Sequence, residues 1–267
     1  MRILVLRGGE SRQRRPGVAP VRERGVMALE ADDGRWVLFN VSATVAQQLG
    51  ADACLDRHGG LPDAEVRAVV LTDAQVDHIG GLLGLRDGAP IQLYATPAVF
   101  EDLTSALPVL PMLQHYCGVH WHVVPVAGDQ RIARFQVDGM PSLEFTALDI
   151  DAPLPPYSSH GDRGIVGSTI ALAVQDQRTG QRIFCAPGLT QVGALEFEWM
   201  RNADCLLVET PAEADDHRTS PWLDLIGELP ARHKVLFGHA GNGHDGARAD
   251  LARRGIALAF DGMEIQL

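Results

Sequence analysis

The apolar stretch Val66–Leu71 (VRAVVL) ends abruptly in Thr72, Asp73, Gln75, Asp77 and His78, followed by the glycine pair Gly80–Gly81 and a leucine-rich segment. Polar side chains at the carboxyl end of a strand, just ahead of a helix, sit where open α/β sheets place their ligands. Carboxylate and imidazole are the donors that divalent transition metals take. On a turn, the neighbours Asp77 and His78 can both point at one ion. On a helix, the same residues read as an N-cap by Asp73 or Asp77 with His78 merely exposed. Spacing alone leaves both readings open.

Other residues could also carry chemistry. His239 follows the run KVLFG, again at a strand end, where it is either a ligand or a histidine capped by backbone. His160 lies in the Pro/Gly/Ser loop PPYSSHGDRG. His115, His120 and His122 share the segment HYCGVHWH; His120 and His122 flank Trp121 and would share one face of a strand. They suggest a second metal site, although a structural or rim role is favoured. Glu209, after the run Asp204–Val208, either orients a ligand histidine from behind or caps the next turn. Asp215, Asp216 and His217 read as a solvated acidic loop.

Short apolar runs alternating with helical stretches must position these groups. Strands are expected at Arg2–Leu6, Gly25–Glu30, Arg35–Phe39, Val66–Leu71, Ile91–Ala95, Trp121–Val124, Leu143–Ala147, Thr169–Val174, Arg182–Cys185, Asp204–Val208, Lys234–Phe237, Ile256–Phe260 and Glu264–Leu267. Helices are expected at Ala43–Leu49, His78–Leu85, Pro97–Ala106, Gly193–Arg201, Pro221–Glu228 and Asp245–Arg253. Turn residues in QDQRTGQ and at Asp32–Gly34 mark two hairpins. Hairpins early and strand–helix alternation later fit an α/β protein with two mixed sheets and helices outside, although other α/β layers remain open.

A chain of 267 residues, 46% hydrophobic and 21% charged, can bury a sizeable core. A net charge of −11 without a long basic run argues against nucleic acid or an anionic membrane as partner. Of the cysteines Cys54, Cys117, Cys185 and Cys205, none are paired at C-x-x-C spacing. Cys185 and Cys205 sit in apolar runs and read as buried thiols of a reducing compartment. The apolar part of MRILVL is too short for a signal-peptide core, and no later run reaches transmembrane length. The expected location is cytoplasmic, without membrane insertion. The segment Gly8–Arg24, rich in Arg, Gly and Pro and free of Cys and His, is expected to hold no zinc and to be mobile.

The segment LTDAQVDHIGGLLGLR closely resembles the metal loop of the pyrroloquinoline quinone (PQQ) biosynthesis protein B family, within the metallo-β-lactamase fold. There the fold's usual H-x-H-x-D-H is altered in the same way, with Asp73 and Gln75 in place of the first two histidines. RWVLFNVSATVAQQL, QLYATPAVFEDL, HYCGVHWH, PPYSSH, RIFCAPGL, ADCLLVE, KVLFGH and FDGMEIQL match the family in order, from about Arg35 to Leu267. The resemblance implies a single metallo-β-lactamase-like domain over residues 1–267, a four-layer αββα sandwich of two mixed sheets. Two departures stand out. The N-terminal cysteine cluster that holds a structural zinc in the family is missing, and the stretch after the last strand's histidine reads HAGNGHD.

By the same resemblance, His239 joins Asp77 and His78 as metal ligands and catalytic residues. The usual bridging carboxylate would fall at Pro187 and Gly188, which supply no ligand. Two imidazoles and one carboxylate form the ligand set of non-haem Fe(II) oxygenases and equally hold Zn²⁺ with water. One divalent ion is expected, with Fe(II) favoured. Asp73, Gln75 and His160 are expected to contact substrate. The implied activity is hydroxylation of a small tyrosine-derived or peptide-derived precursor of PQQ. A carrier of PQQ or its precursor is the alternative, and a metal-dependent hydrolase a third. Loss of the second metal's ligands weighs against two-metal hydrolysis. A homodimer is left open.

Overall fold

The computed structural model describes residues 1–8, 23–30, 34–50, 67–161, 164–209, 221–238 and 245–267. Its strands are β1 (Arg2–Gly8), β2 (Arg24–Glu30), β3 (Trp36–Phe39), β4 (Arg67–Val70), β5 (Ile91–Ala95), β6 (Val119–Val123), β7 (Ile132–Phe135), β8 (Leu143–Asp149), β9 (Ile170–Asp176), β10 (Arg182–Ala186), β11 (Cys205–Glu209), β12 (His233–Phe237), β13 (Ala257–Leu258) and β14 (Met263–Gln266). They form two seven-stranded sheets, ordered β14-β1-β2-β3-β4-β5-β6 and β13-β12-β11-β10-β9-β8-β7. Each sheet is mixed. The pairs from β3 to β6 are parallel, as are those from β10 to β13, and the remaining pairs are antiparallel.

Runs such as WVLF and CLLV are apolar at every position because both faces of these strands are covered. One core lies between the sheets, with Phe39, Phe145, Leu172 and Phe237 at its centre. Each such side chain contributes roughly 1.5–3 kcal/mol by burial. Phe39 meets Phe145 edge-on at 6.4 Å. The outer face of the first sheet is covered by α1 (Ala43–Gly50), α2 (Val76–Ile79), α3 (Pro97–Glu101) and α4 (Val109–Leu113). The outer face of the second is covered by α5 (Ala194–Arg201), α6 (Pro221–Glu228) and α7 (Asp245–Arg253). The layers therefore run helices, sheet, sheet, helices. Among the described residues, no helix is long and apolar enough to cross a membrane. Cys185 and Cys205 are free, buried thiols, and burial pushes both thiol pKa values up, that of Cys205 to about 12.

Several expectations need correction. The helix expected over His78–Leu85 is broken: α2 stops at Ile79 and a 3₁₀ turn spans Leu82–Leu85. The Gly81 amide leaves the helical ladder and donates to the Val41 carbonyl at 2.9 Å. A Cβ on Gly81 would lie 2.2 Å from the Ser42 carbonyl oxygen, so only glycine lets this segment lie against the start of α1. The helix expected over Pro97–Ala106 is α3 followed by a π turn, closed by Leu107 N on the Asp102 carbonyl at 2.8 Å. Sequence reading missed β7, a four-residue edge strand, and α4, which carries Pro111 inside a five-residue helix. Residues 9–22 of the segment expected to be mobile lie outside the described residues. Its ends, however, are fixed: Gly8 and Arg24 are strand residues, and Glu23 accepts from Ser42 Oγ at 2.7 Å and from Arg7 Nε at 3.2 Å.

Candidate functional site

The segment after β4 in the first sheet and the end of β11 in the second both reach Arg24, at the start of β2. Beyond β4, Leu71, Thr72 and Asp73 stay buried, and the polar ones need partners. Asn40, fully buried after β3, supplies them. Its side-chain amide donates to the Gly25 carbonyl (3.0 Å) and to Thr72 Oγ1 (2.9 Å), and its Oδ1 accepts from Thr72 N (3.0 Å). Asn40 has φ of 61°, a left-handed conformation that asparagine tolerates better than most residues.

Asp73 turns the chain by accepting from Gln75 N at 2.8 Å, and its two oxygens receive His78 Nδ1 at 2.7 and 2.8 Å. His78 Nε2 lies 3.1 Å from the Arg24 carbonyl oxygen. Carboxylate and carbonyl oxygens only accept, so each ring nitrogen faces an acceptor, an arrangement that favours the protonated imidazolium. Burial opposes its charge, but the Asp73 charge, the hydrogen bond to it, the Glu209 charge and the Arg24 carbonyl outweigh that and raise its pKa. Burial likewise opposes the Asp73 carboxylate, and His78, Gln75 and Thr72 reverse this and hold its pKa below the usual range.

The second sheet adds Glu209, at the end of β11. It accepts from Gly188 N at 3.0 Å and forms an ion pair with Arg24 Nε at 2.8 Å. Burial comes first among the causes that raise its pKa, with Arg24 and His78 opposing. Pro187, where the resemblance places a lost bridging carboxylate, packs against Gly25 together with His78. A Cβ on Gly25 would lie 2.9 Å from His78 Nε2 and 3.1 Å from Pro187 Cβ, and the Gly25 φ is +72°.

The expected site residues therefore divide. Asp73 and His78 are joined directly. The capping reading of the loop does not survive, because α2 has Gln75 as an N-cap without a side-chain bond and His78 is buried rather than exposed. Asp77 is exposed on the first turn of α2. Gln75 donates to the Pro153 carbonyl at 2.9 Å, which ties it to the loop carrying His160. The His160 ring turns into the protein, with Nε2 3.3 Å from the Ala98 carbonyl oxygen and 3.7 Å from Asp102 Oδ1, so it anchors the loop. His120 and His122 both meet Gln92, at 3.1 and 2.8 Å, and His122 stacks on Tyr94. His115 is exposed. His239, Asp215, Asp216 and His217 lie outside the described residues, among which no three His, Cys, Asp or Glu side chains gather to hold a metal.

Sequence reading missed Asn40, Arg24 and Asp102. Buried Asp102 accepts from Ser158 Oγ at 2.9 Å and from Ser159 N at 3.1 Å, and Tyr157 donates to the Ala74 carbonyl. The loop over residues 151–161 is thus fastened both to α3 and to the Asp73 turn. Asp102→Ala leaves the Ser158 and Ser159 donors without this acceptor and should cost about 1–3 kcal/mol. It should also speed amide exchange across residues 151–161. Unchanged exchange there would show that the tyrosine bond holds the loop alone.

In donor type the residues suit a divalent ion. A histidine fixed through Nδ1 by a carboxylate offers Nε2 to a metal, and Asp77 adds an exposed carboxylate. In this conformation Nε2 is engaged by Arg24, so an ion takes that place only when one hydrogen bond opens.

A family model described as Beta-lactamase superfamily domain matches residues 35–251. Coenzyme PQQ synthesis protein B of Klebsiella pneumoniae is 35% identical over 264 residues, covering 89% of this chain and 84% of the relative. The protein of the same name from Pseudomonas syringae pv. tomato is 36% identical over 276 residues, covering 93% and 89%. Among solved structures, Zn(2+)-bound PqqB from Methylobacterium extorquens superposes with a TM-score of 0.75 at 21% identity, over 100% of both chains. Human tRNase Z, short form, superposes with a TM-score of 0.64 at 16% identity, over 100% of this chain and 99% of that one. At these identities the superpositions speak for the fold alone.

Proposed function

The chain belongs to the coenzyme PQQ synthesis protein B family, and from that premise we propose that it acts in PQQ biosynthesis as a mononuclear iron hydroxylase of a tyrosine-derived precursor. One divalent ion, Fe(II) in preference to Zn(II), is held by Asp77, His78 and His239. The observation that carries this reading is the Asp73–His78 pair: a buried carboxylate fixes the imidazole through Nδ1, so that Nε2 is the nitrogen that would ligate once its hydrogen bond to the Arg24 carbonyl opens. Held by two imidazoles and one carboxylate, Fe(II) would supply the activation of O₂. The protein's own groups do the rest. Asp73 orients His78 and holds its Nδ1 proton, and loss of the Nε2 proton frees that nitrogen. Gln75 and the 151–161 loop close one side of the site through the Pro153 carbonyl. One oxygen atom enters the phenol ring. The other leaves as water, with two electrons and two protons from an external small-molecule reductant.

A second reading, a carrier without turnover, is favoured by one observation: Nε2 already has a partner in the Arg24 carbonyl. The deciding experiment reconstitutes full-length protein with Fe(II) without oxygen. It then adds a glutamyl-tyrosine dipeptide, ascorbate and O₂ and seeks a product heavier by one oxygen atom. His78→Ala and His239→Ala should remove most bound iron and all product. Full metal content in both variants would refute the ligand set. Tight dipeptide binding without product under iron or zinc would select the carrier. Ester turnover with zinc alone would select the hydrolase.

A further inference from the structure

We infer that Arg24 is the residue by which this site recognises a carboxylate on its ligand. The position of the site rests on the reading above; the class of ligand rests on Arg24 itself. Glu209 aims the guanidinium. Its Oε1 takes Arg24 Nε at 2.8 Å, while Oε2 is fixed by Gly188 N at 3.0 Å. The contact is made by the inner nitrogen, Nε, and the two outer nitrogens of a guanidinium form a planar fork. That planar fork matches a carboxylate with two parallel hydrogen bonds. Glu209 is the only ion-pair partner of Arg24 among the described residues. The Arg24 side chain is 31% exposed and that of Glu209 15%, so the cation faces solvent while the carboxylate that aligns it is covered.

The main chain places this group at the site. The Arg24 carbonyl meets His78 Nε2 at 3.1 Å, and the next residue, Gly25, packs between His78 and Pro187. The chain as a whole carries a net charge of −11, so its overall field repels anions and a carboxylate must be captured by a local cation.

The rival explanation is that Arg24 only neutralises Glu209. Two pairs of probes separate the possibilities by calorimetry on the full chain: N-acetyltyrosine against N-acetyltyrosinamide, and glutarate against glutaramide. Wild type should bind each acid at least about tenfold more tightly than its amide. Arg24→Gln should erase that preference. In Arg24→Gln/Glu209→Gln, which carries neither charge, thermal stability should recover while the preference stays lost. A preference that survives Arg24→Gln, or returns in the double variant, overturns the inference. So does wild-type binding of acid and amide with equal affinity. If glutarate binds through Arg24 and the tyrosine probes bind no better, the inference stands and the tyrosine-derived substrate falls. If both tyrosine probes bind equally in wild type and Arg24→Gln, the substrate reading stands and Arg24 falls. Binding of no probe refutes both.

Discussion

Replacing Asp73 with alanine should cost the metal-free protein about 3–5 kcal/mol, because it leaves the buried His78 imidazolium without its counter-charge. Asp73 is 3% exposed and His78 5%, so water cannot take over the lost contacts. The pH dependence of the pair has two limbs. The Asp73 pKa is lowered, so its contribution is present above about 3.9 and is lost as pH falls through the folded value. The His78 pKa is raised, so its contribution is complete below about 6.5 and is lost as pH rises through the folded value. The pair therefore stabilises the metal-free protein most between about pH 4 and 6.5, and the difference between wild type and Asp73→Ala should shrink on either side. Urea denaturation of both proteins across pH 4 to 9 measures this. A difference that stays flat with pH would mean that His78 is neutral throughout.

Gly25→Ala should be nearly as severe, at about 2–5 kcal/mol, from two separate sources. A non-glycine residue at φ of +72° costs roughly 1–2 kcal/mol. The added methyl would also lie 2.9 Å from His78 Nε2, inside contact distance, and overpacking of this kind costs about 1–3 kcal/mol. The variant should therefore also lose metal affinity, because the imidazole must move. Equilibrium denaturation together with a metal titration tests both effects. A loss below about 1 kcal/mol with unchanged metal affinity would show that the β2 backbone yields instead.

Much of the fold was legible because its signals are local. Continuous apolar runs such as WVLF and CLLV, the Thr-Gly hairpin between β9 and β10, and the polar break after Leu71 are all written within a few residues. The site was legible only in part. Asp73 and His78 are five residues apart, which is not a helical neighbour spacing, and they meet because Asp73 turns the chain before α2 begins. Asn40 carries no local mark beyond following the strand WVLF, and its partners come from β2 and the loop after β4. Arg24 ends the Gly8–Arg24 segment, whose composition reads as mobile. Its role appears only when β11 brings Glu209 beside it. Asp102 looked like an ordinary helix position until the π turn presented it to Ser158.

The pairing of β14 with β1 sets a timetable for synthesis. Arg2 lies opposite Gln266, and Arg7 is bound to Asp261 at 2.6 Å, so the partner on this side of β1 is made long after β1 itself. At about 5–20 residues per second, β1 waits roughly ten seconds to a minute for its neighbour. During that interval its free backbone groups are a template for another chain.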